Sequence, residues 1–260
     1  MHELEQPLLV AAALLARLGP LIWLAPFIGG RLVPPLVKTT LALLLAGVLY
    51  PQVAGQLDAL IASGPVAVAA AVAKESVIGL ALGFIVGLVF WAAQAAGWLV
   101  DAARGANLAE AMVPQQGERS SPLGSLYFQL AVVLFIALGG HRLFIAAMAR
   151  SYEALPLHRF PDASGWLGLA RLCIRLSGDL VLVALSLAAP VVAAVLVTDL
   201  ALGWVNRFAP QINVFFLAMP LKALLGIAVV VLGLSLLLGG LPPLMDRALY
   251  HVDQALQLLR

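Results

Sequence analysis

The sequence predicts an all-α integral membrane protein, and three observations carry that prediction. Of 260 residues, 63% are hydrophobic and 11% are charged, where soluble domains run near 25% charged. Mean hydropathy is +1.03. The apolar residues gather into long runs separated by Pro, Gly and short polar stretches. The whole chain, 1–260, reads as one membrane domain. The net charge of +2 is too small to argue for nucleic acid, and no basic patch interleaved with aromatics appears. The lone Cys173 excludes an internal disulfide and a cysteine-based metal site.

The first apolar segment covers about 7–28. Glu3 and Glu5 precede it with no basic residue, so it does not read as a cleavable signal and is expected to remain. As a straight helix it measures about 33 Å, enough to span. Pro20 and Pro26 predict a kink or an early end. Arg17 sits inside this segment, either snorkelling to the interface or contacting a neighbouring subunit. A loop with Pro34 and Pro35 follows. Residues 39–50 form a run of about 18 Å ending at Pro51, too short to cross a ~30 Å core alone. The run reads as half a hairpin, a buried helix or a re-entrant piece, with 52–64 as a polar loop.

Residues 65–100 would make a helix of about 54 Å, which must tilt, bend or extend beyond the bilayer. Gly79, Gly83 and Gly87 repeat every four residues and open a groove for another backbone. Glu75 lies near the same face, beside Lys74. It is either half of a neutralised structural pair or a functional intramembrane carboxylate. Residues 104–122 cannot span. They hold Asn107, Glu110, Pro114, Gln115, Gln116, Glu118 and Arg119, and by themselves read as a solvated loop. Residues 123–138 form the next apolar segment, closed by Gly139 and Gly140, which accept positive φ. His141 then reads as a polar terminus more readily than as a pH sensor. A basic, mixed stretch at 150–175 reads as an interfacial or exposed helical connection. Residues 178–204 are apolar, with Asp179 and Asp199 near the ends and Pro190 central. Residues 214–241 are the last long apolar segment, with Pro242 and Pro243 expected to stop it. The tail, 242–260, carries Leu249, Val252, Leu256 and Leu259 at helical spacing.

Between the last two segments, Asn206, Arg207, Gln211 and Asn213 make a polar knot around Pro210, and the helix is expected to break there. Pro220 and Lys222 follow within the next apolar run. Such groups are costly against lipid, so a protein-buried or wet setting is expected. Asp199 and Arg207, eight residues apart, would align on one continuous helix. Treated as six ordinary spans, the loops carry five basic residues on one side and seven on the other. So small a positive-inside bias argues against a simple serpentine topology.

The run RFAPQINVFFLAMPLK at 207–222 resembles a signature of the FliR/SctT family, subunits of the export gate of bacterial flagellar and type III secretion systems. Its ending, Ala218-Met219-Pro220-Leu221-Lys222, is closer to the injectisome branch than to flagellar biosynthesis. Arg17 with Pro26-Phe27 and Pro34-Pro35, Glu75 through Gly79 with Gly83-Phe84, and Ala96-Gly97 before Asp101 and Gly105 also fit. So do Gly139-Gly140-His141, Ser151 and Pro156. The resemblance implies kinked helical hairpins packed into a hetero-oligomeric, ring-like export gate. It implies SctR/FliP-like and SctS/FliQ-like partners, with SctU/FlhB-like and SctV/FlhA-like components nearby. It also implies location in the bacterial inner membrane within the secretion basal body, and secreted proteins in transit as substrates. In that frame Arg17, Glu75, Asp101, Asp199, Arg207, Gln211, Asn213 and Lys222 are intramembrane polar or subunit-contact residues. Residues 105–121, starting at Gly105, become a channel plug. Val113 stands where family members often carry an acidic residue before the proline.

Motifs for a phosphate loop, a zinc protease helix or a nucleophile elbow are missing, and the expectation is a non-enzyme without cofactor or metal. The rival reading is a self-sufficient secondary transporter using broken helices at 190–222. A purely structural scaffold is a third.

Overall fold

In a computed structural model of the chain, residues 2–29, 33–61, 64–106, 121–211 and 213–260 are described. Among them the regular structure is helical throughout: α1 His2–Leu24, α2 Pro26–Gly29, α3 Pro35–Ile61, α4 Pro65–Arg104, α5 Pro122–Ala137, α6 Gly140–Ala154, α7 Ala163–Phe208, α8 Val214–Leu232 and α9 Leu234–Leu258. Among the described residues three helices are long and apolar enough to cross a membrane: Pro35–Gln56, Pro65–Arg104 and Ala163–Phe208. Two bent pairs, α5 with α6 at 73° and α8 with α9 at 64°, raise the number to five if each is one span. The six straight spans of a serpentine reading are not what forms.

The chain divides into two compact units. One comprises Met1–Val89, Phe135–Ser177 and Met245–Arg260, the other Phe90–Leu134 and Gly178–Leu244. In the first unit, α1 buries Val10, Leu14, Arg17, Leu18 and Leu21. That is one helical stripe at three- and four-residue steps. The helix ends where Pro26 has no N–H to offer, and Pro26 starts α2, its fixed φ suiting a first helical position. Pro20 stays inside α1. Gly19 before it carries no Cβ for the proline ring to crowd.

Two proline expectations are corrected. Residues 39–50 are not an isolated half-hairpin, because α3 runs through Pro51 to Ile61. Tertiary bonds hold its second half. The Gln52 amide donates to Glu153 Oε1 at 2.9 Å, and Gln56 Oε1 accepts the Leu157 N–H at 3.0 Å. Likewise, Pro242 and Pro243 do not stop the last apolar helix. They lie inside α9, and the break falls at Gly233. Leu237, Leu241, Met245 and Ala248 form a buried stripe across the prolines, and packing outweighs the missing helical bonds. The tail is amphipathic as expected, burying Val252, Leu256 and Leu259.

Other punctuation follows local chemistry. Gly139 has φ 76° between α5 and α6, and Gly105 has φ 77° at the end of α4. Asp162 Oδ1 accepts the Gly165 N–H at 2.9 Å at the start of α7. The Gly165 amide, with the Ser164 hydroxyl, holds the Asp162 carboxyl below its ordinary value. Pro190 sits within the 46-residue α7.

Candidate functional site

The polar residues singled out in the sequence form three clusters. In the first unit, Arg17 does not snorkel. It is 0% exposed, and its Nε donates to Glu75 Oε2. Nη1 donates to Ser151 Oγ at 3.0 Å and Nη2 to the Leu155 carbonyl at 2.9 Å. The guanidinium lies 4.1 Å from the Tyr152 ring centre, a cation–π geometry. Lys74 pairs with Glu75 Oε1 at 2.9 Å. Its ammonium also donates to the carbonyls of Pro156, Leu157 and Arg159 at 3.1, 2.9 and 2.9 Å. Glu75 therefore sits between two cations, and the cluster carries one net positive charge. The carbonyls at the negative end of α6 and in the turn after it offset that charge.

The glycine groove brings α1 onto this cluster. A Cβ at Gly79 would collide with the Arg17 carbonyl, and one at Gly83 would come 2.9 Å from Leu24 Cβ and 3.0 Å from Leu21 Cα. Gly79 faces Arg17 and Gly83 faces Leu21, so α1 and α4 run in the same direction. Gly87 is buried one turn further on.

In the second unit, Asp101 joins the end of α4 to the start of α5. Its Oδ2 accepts from Ser121 Oγ at 2.6 Å and from the Leu123 N–H at 2.9 Å, and Oδ1 pairs with Arg104. Ser121 Oγ accepts the Gly124 N–H at 2.9 Å, an N-cap directly before Pro122 at the first helical position. Gly97 and Gly124 permit the approach, since side chains there would collide with the Leu123 backbone and with Trp98. Gly105 follows this cluster. Residues 107–120 of the expected plug, with Asn107, Glu110, Pro114, Gln115, Gln116, Glu118 and Arg119, lie outside the described residues.

The third cluster lies at the break between α7 and α8. Asp199 pairs with Lys222 across the break, and not with Arg207, which is exposed near the end of α7. Asp199, Asn206, Gln211, Asn213 and Lys222 line an open cavity of about 710 Å³ with Leu202, Gly203, Pro210, Val214 and Ala218. Among the described residues no group of three or more His, Cys, Asp or Glu could hold a metal ion.

Residues 8–248 match the family described as bacterial export proteins, family 1. The chain belongs to that family. It is 31% identical over 223 residues to the Yop proteins translocation protein T of Yersinia pestis, covering 85% of this chain and 84% of the relative. It is 32% identical over 231 residues to the flagellar biosynthetic protein FliR of Caulobacter vibrioides, covering 87% and 88%. To the secretion system apparatus protein SsaT of Salmonella typhimurium it is 34% identical over 163 residues, 59% of each chain. The family thus includes flagellar and type III secretion proteins, and membership with the apolar helices makes this chain a membrane-embedded export apparatus protein.

Sequence reasoning named Arg17, Glu75, Asp199 and Lys222 and read the Lys74–Glu75 pair, but missed the partners of Arg17 and the pairing of Asp199 with Lys222. Ser151, Tyr152 and the carbonyls of residues 155–159 complete the first cluster. They lie 82 to 138 residues from their partners, beyond the reach of any local pattern. Ser121 was missed, although a serine directly before a proline is the signal that could have marked it as a cap. Gly97 and Gly124 carried no repeat to mark them.

Proposed function

We propose that this protein is a channel-forming subunit of the bacterial type III protein export gate. It would sit in the inner membrane within the secretion basal body and pass unfolded polypeptides. It would work without catalysis, drawing energy from other components. The supporting observation is the length of exposed apolar surface on α7. Exposed large hydrophobic side chains run from Leu167 to Phe208, about 62 Å along a helix. A bilayer core is only ~30 Å thick. Lipid can cover about half of that surface, and sister subunits are the natural cover for the rest. SctR/FliP-like and SctS/FliQ-like proteins would supply it in a ring-like assembly, near SctU/FlhB-like and SctV/FlhA-like components. The ending at 218–222 favours the injectisome branch.

Residues 105–121 would plug the channel, with Asp101 and Ser121 fixing the stem. Deleting 115–120 tests this by ion leak and substrate secretion. The expected result is raised leak with secretion altered. Unchanged leak with normal secretion rejects the plug. Reconstituting the chain alone separates this reading from a self-sufficient transporter, which would take up substrate without partners.

A further inference from the structure

We infer that α8 is a movable helix whose position is transmitted to the junction of α4 and α5 through the side chain of Arg104. The inference concerns that junction alone and holds whether or not 105–121 plugs a channel. Three observations in the second unit support it.

The first is a close contact. Gly226 is buried on the inner face of α8, one turn from Lys222 and one turn from Val230. A Cβ at Gly226 would fall on Arg104 Cδ and come 2.6 Å from Cγ and 3.4 Å from Nε. The stem of Arg104 therefore lies across α8 at a residue with no side chain. The positions around it on α8 are Lys222, Leu225, Ile227 and Val230, and all of them carry one. Sliding or turning α8 puts a side chain where the stem now lies.

The second is the connection beyond that contact. The tip of the same side chain pairs with Asp101 Oδ1. Asp101 Oδ2 accepts the Ser121 hydroxyl and the Leu123 N–H. Arg104 is thus met at its middle by α8 and at its tip by the carboxylate that holds the start of α5. Its side chain is only 9% exposed, so the stem cannot swing into solvent while the tip stays. Nε is buried and finds no acceptor among the described residues. An unmet buried donor is a cost, so the pose depends on its neighbours staying in place.

The third is the freedom of α8. The chain breaks around Pro210 before it and at Gly233 after it, and α8 meets α9 at 64°. Helix shifts of about 1–2 Å are a common switching motion, and one residue of helix rises about 1.5 Å. A shift of that size is enough to move Gly226 from under Arg104. Lys222, paired with Asp199 of α7, anchors α8 one turn away.

The test follows the Leu123 amide by hydrogen exchange in the full-length protein, purified in detergent with the subunits that accompany it. Lys222→Met cuts the tie to α7 and leaves Gly226, Arg104 and Asp101 in place. Exchange at Leu123 should rise several-fold, with amides 181–185 of α7 unchanged. In an Arg104→Met background, which keeps a stem but cannot grip Asp101, Lys222→Met should add nothing. Gly226→Ala should also raise exchange at Leu123 and lower the melting temperature. With the stem removed, Arg104→Ala/Gly226→Ala should melt no lower than Arg104→Ala alone. Gly239→Ala, where a Cβ meets nothing within 4 Å, is the control and should leave exchange at Leu123 unchanged. Unchanged exchange at Leu123 in Lys222→Met or in Gly226→Ala overturns the inference. A rise that persists at full size in Arg104→Met, or one shared by 181–185, overturns it too, because the effect then bypasses Arg104 or is general loosening. An equal melting loss from Gly226→Ala with and without Arg104 puts the obstacle elsewhere and also rejects it. If Gly226→Ala does not accumulate, Lys222→Met decides by itself.

Discussion

At the scale of single residues, Glu75 holds the first unit together more than either of its partners. Removing it leaves Arg17 and Lys74 as two buried cations, whereas removing Arg17 leaves Glu75 still paired with Lys74. Breaking a buried pair typically costs about 3–5 kcal/mol, because the survivor is buried without compensation. Glu75→Leu should therefore reduce folded protein more than Arg17→Met, measured as thermal stability in detergent. Arg17→Met/Glu75→Leu should recover part of the loss of Glu75→Leu. The reverse ranking would mean that the carbonyls around Lys74 and Arg17, not the carboxylate, neutralise the cluster. The glycines give a second test. Gly79→Ala meets the Arg17 backbone, which cannot yield as a side-chain tip could, and should cost about 1–3 kcal/mol. Gly47→Ala meets nothing within 4 Å and should be neutral or stabilising by up to about 1 kcal/mol, since alanine favours helix. Equal effects in the same assay would remove the claim that α1 lies in the α4 groove.

At the scale of elements, the glycine stop at Gly139 was legible in the sequence, the one at Gly233 was not, and stops set by proline were only partly so. Gly139 ends α5 as read, and the Pro210 break falls between Phe208 and Val214. Pro51 and the Pro242–Pro243 pair were over-weighted. A proline's cost is local, while the buried stripe 237, 241, 245 and 248 and the Gln52 and Gln56 bonds come from distant segments. The site was legible as residue types, and of its partners only the Lys74–Glu75 pair was read. Asp199 was matched with Arg207 by helical spacing, yet it meets Lys222 because the break folds α8 back. Element ends also give a prediction in pH. Asp162 caps α7 as a carboxylate, and its folded pKa lies below the unfolded 3.8. The cap's contribution is thus present above 3.8 and is lost as pH falls through the lowered folded value. Protection of the Gly165 amide, relative to an unstructured peptide at the same pH, should hold at neutral pH and fall only in that acid window, whereas Asp162→Ala should lack it throughout. A loss of protection near pH 6 in the wild type would point to another group.

At the scale of the whole molecule, the exposed surface of α7 decides between lipid and protein as its neighbour. Leu167 and Leu200 are both exposed, 52% and 62%, and stand about 50 Å apart along the helix. A ~30 Å hydrocarbon core holds both only at a tilt well beyond the usual 0–40° range. If lipid alone covers α7, Lys at one of the two positions should sit in water or headgroups and be harmless. If sister subunits cover it, Lys at either position places a charge in a protein interface, and charges are depleted from interface cores. Leu167→Lys and Leu200→Lys should then each abolish co-purification with neighbouring export-gate subunits. Each variant should still accumulate in the membrane, because the chain's own buried stripes are untouched. Val66 provides the control. It lies 81% exposed at the first turn of α4, where a helix end can carry a snorkelling lysine, so Val66→Lys should assemble normally. Normal assembly of either Leu167→Lys or Leu200→Lys would return that stretch of α7 to the solvent or the bilayer. The argument for a subunit sheath would then fail at that end.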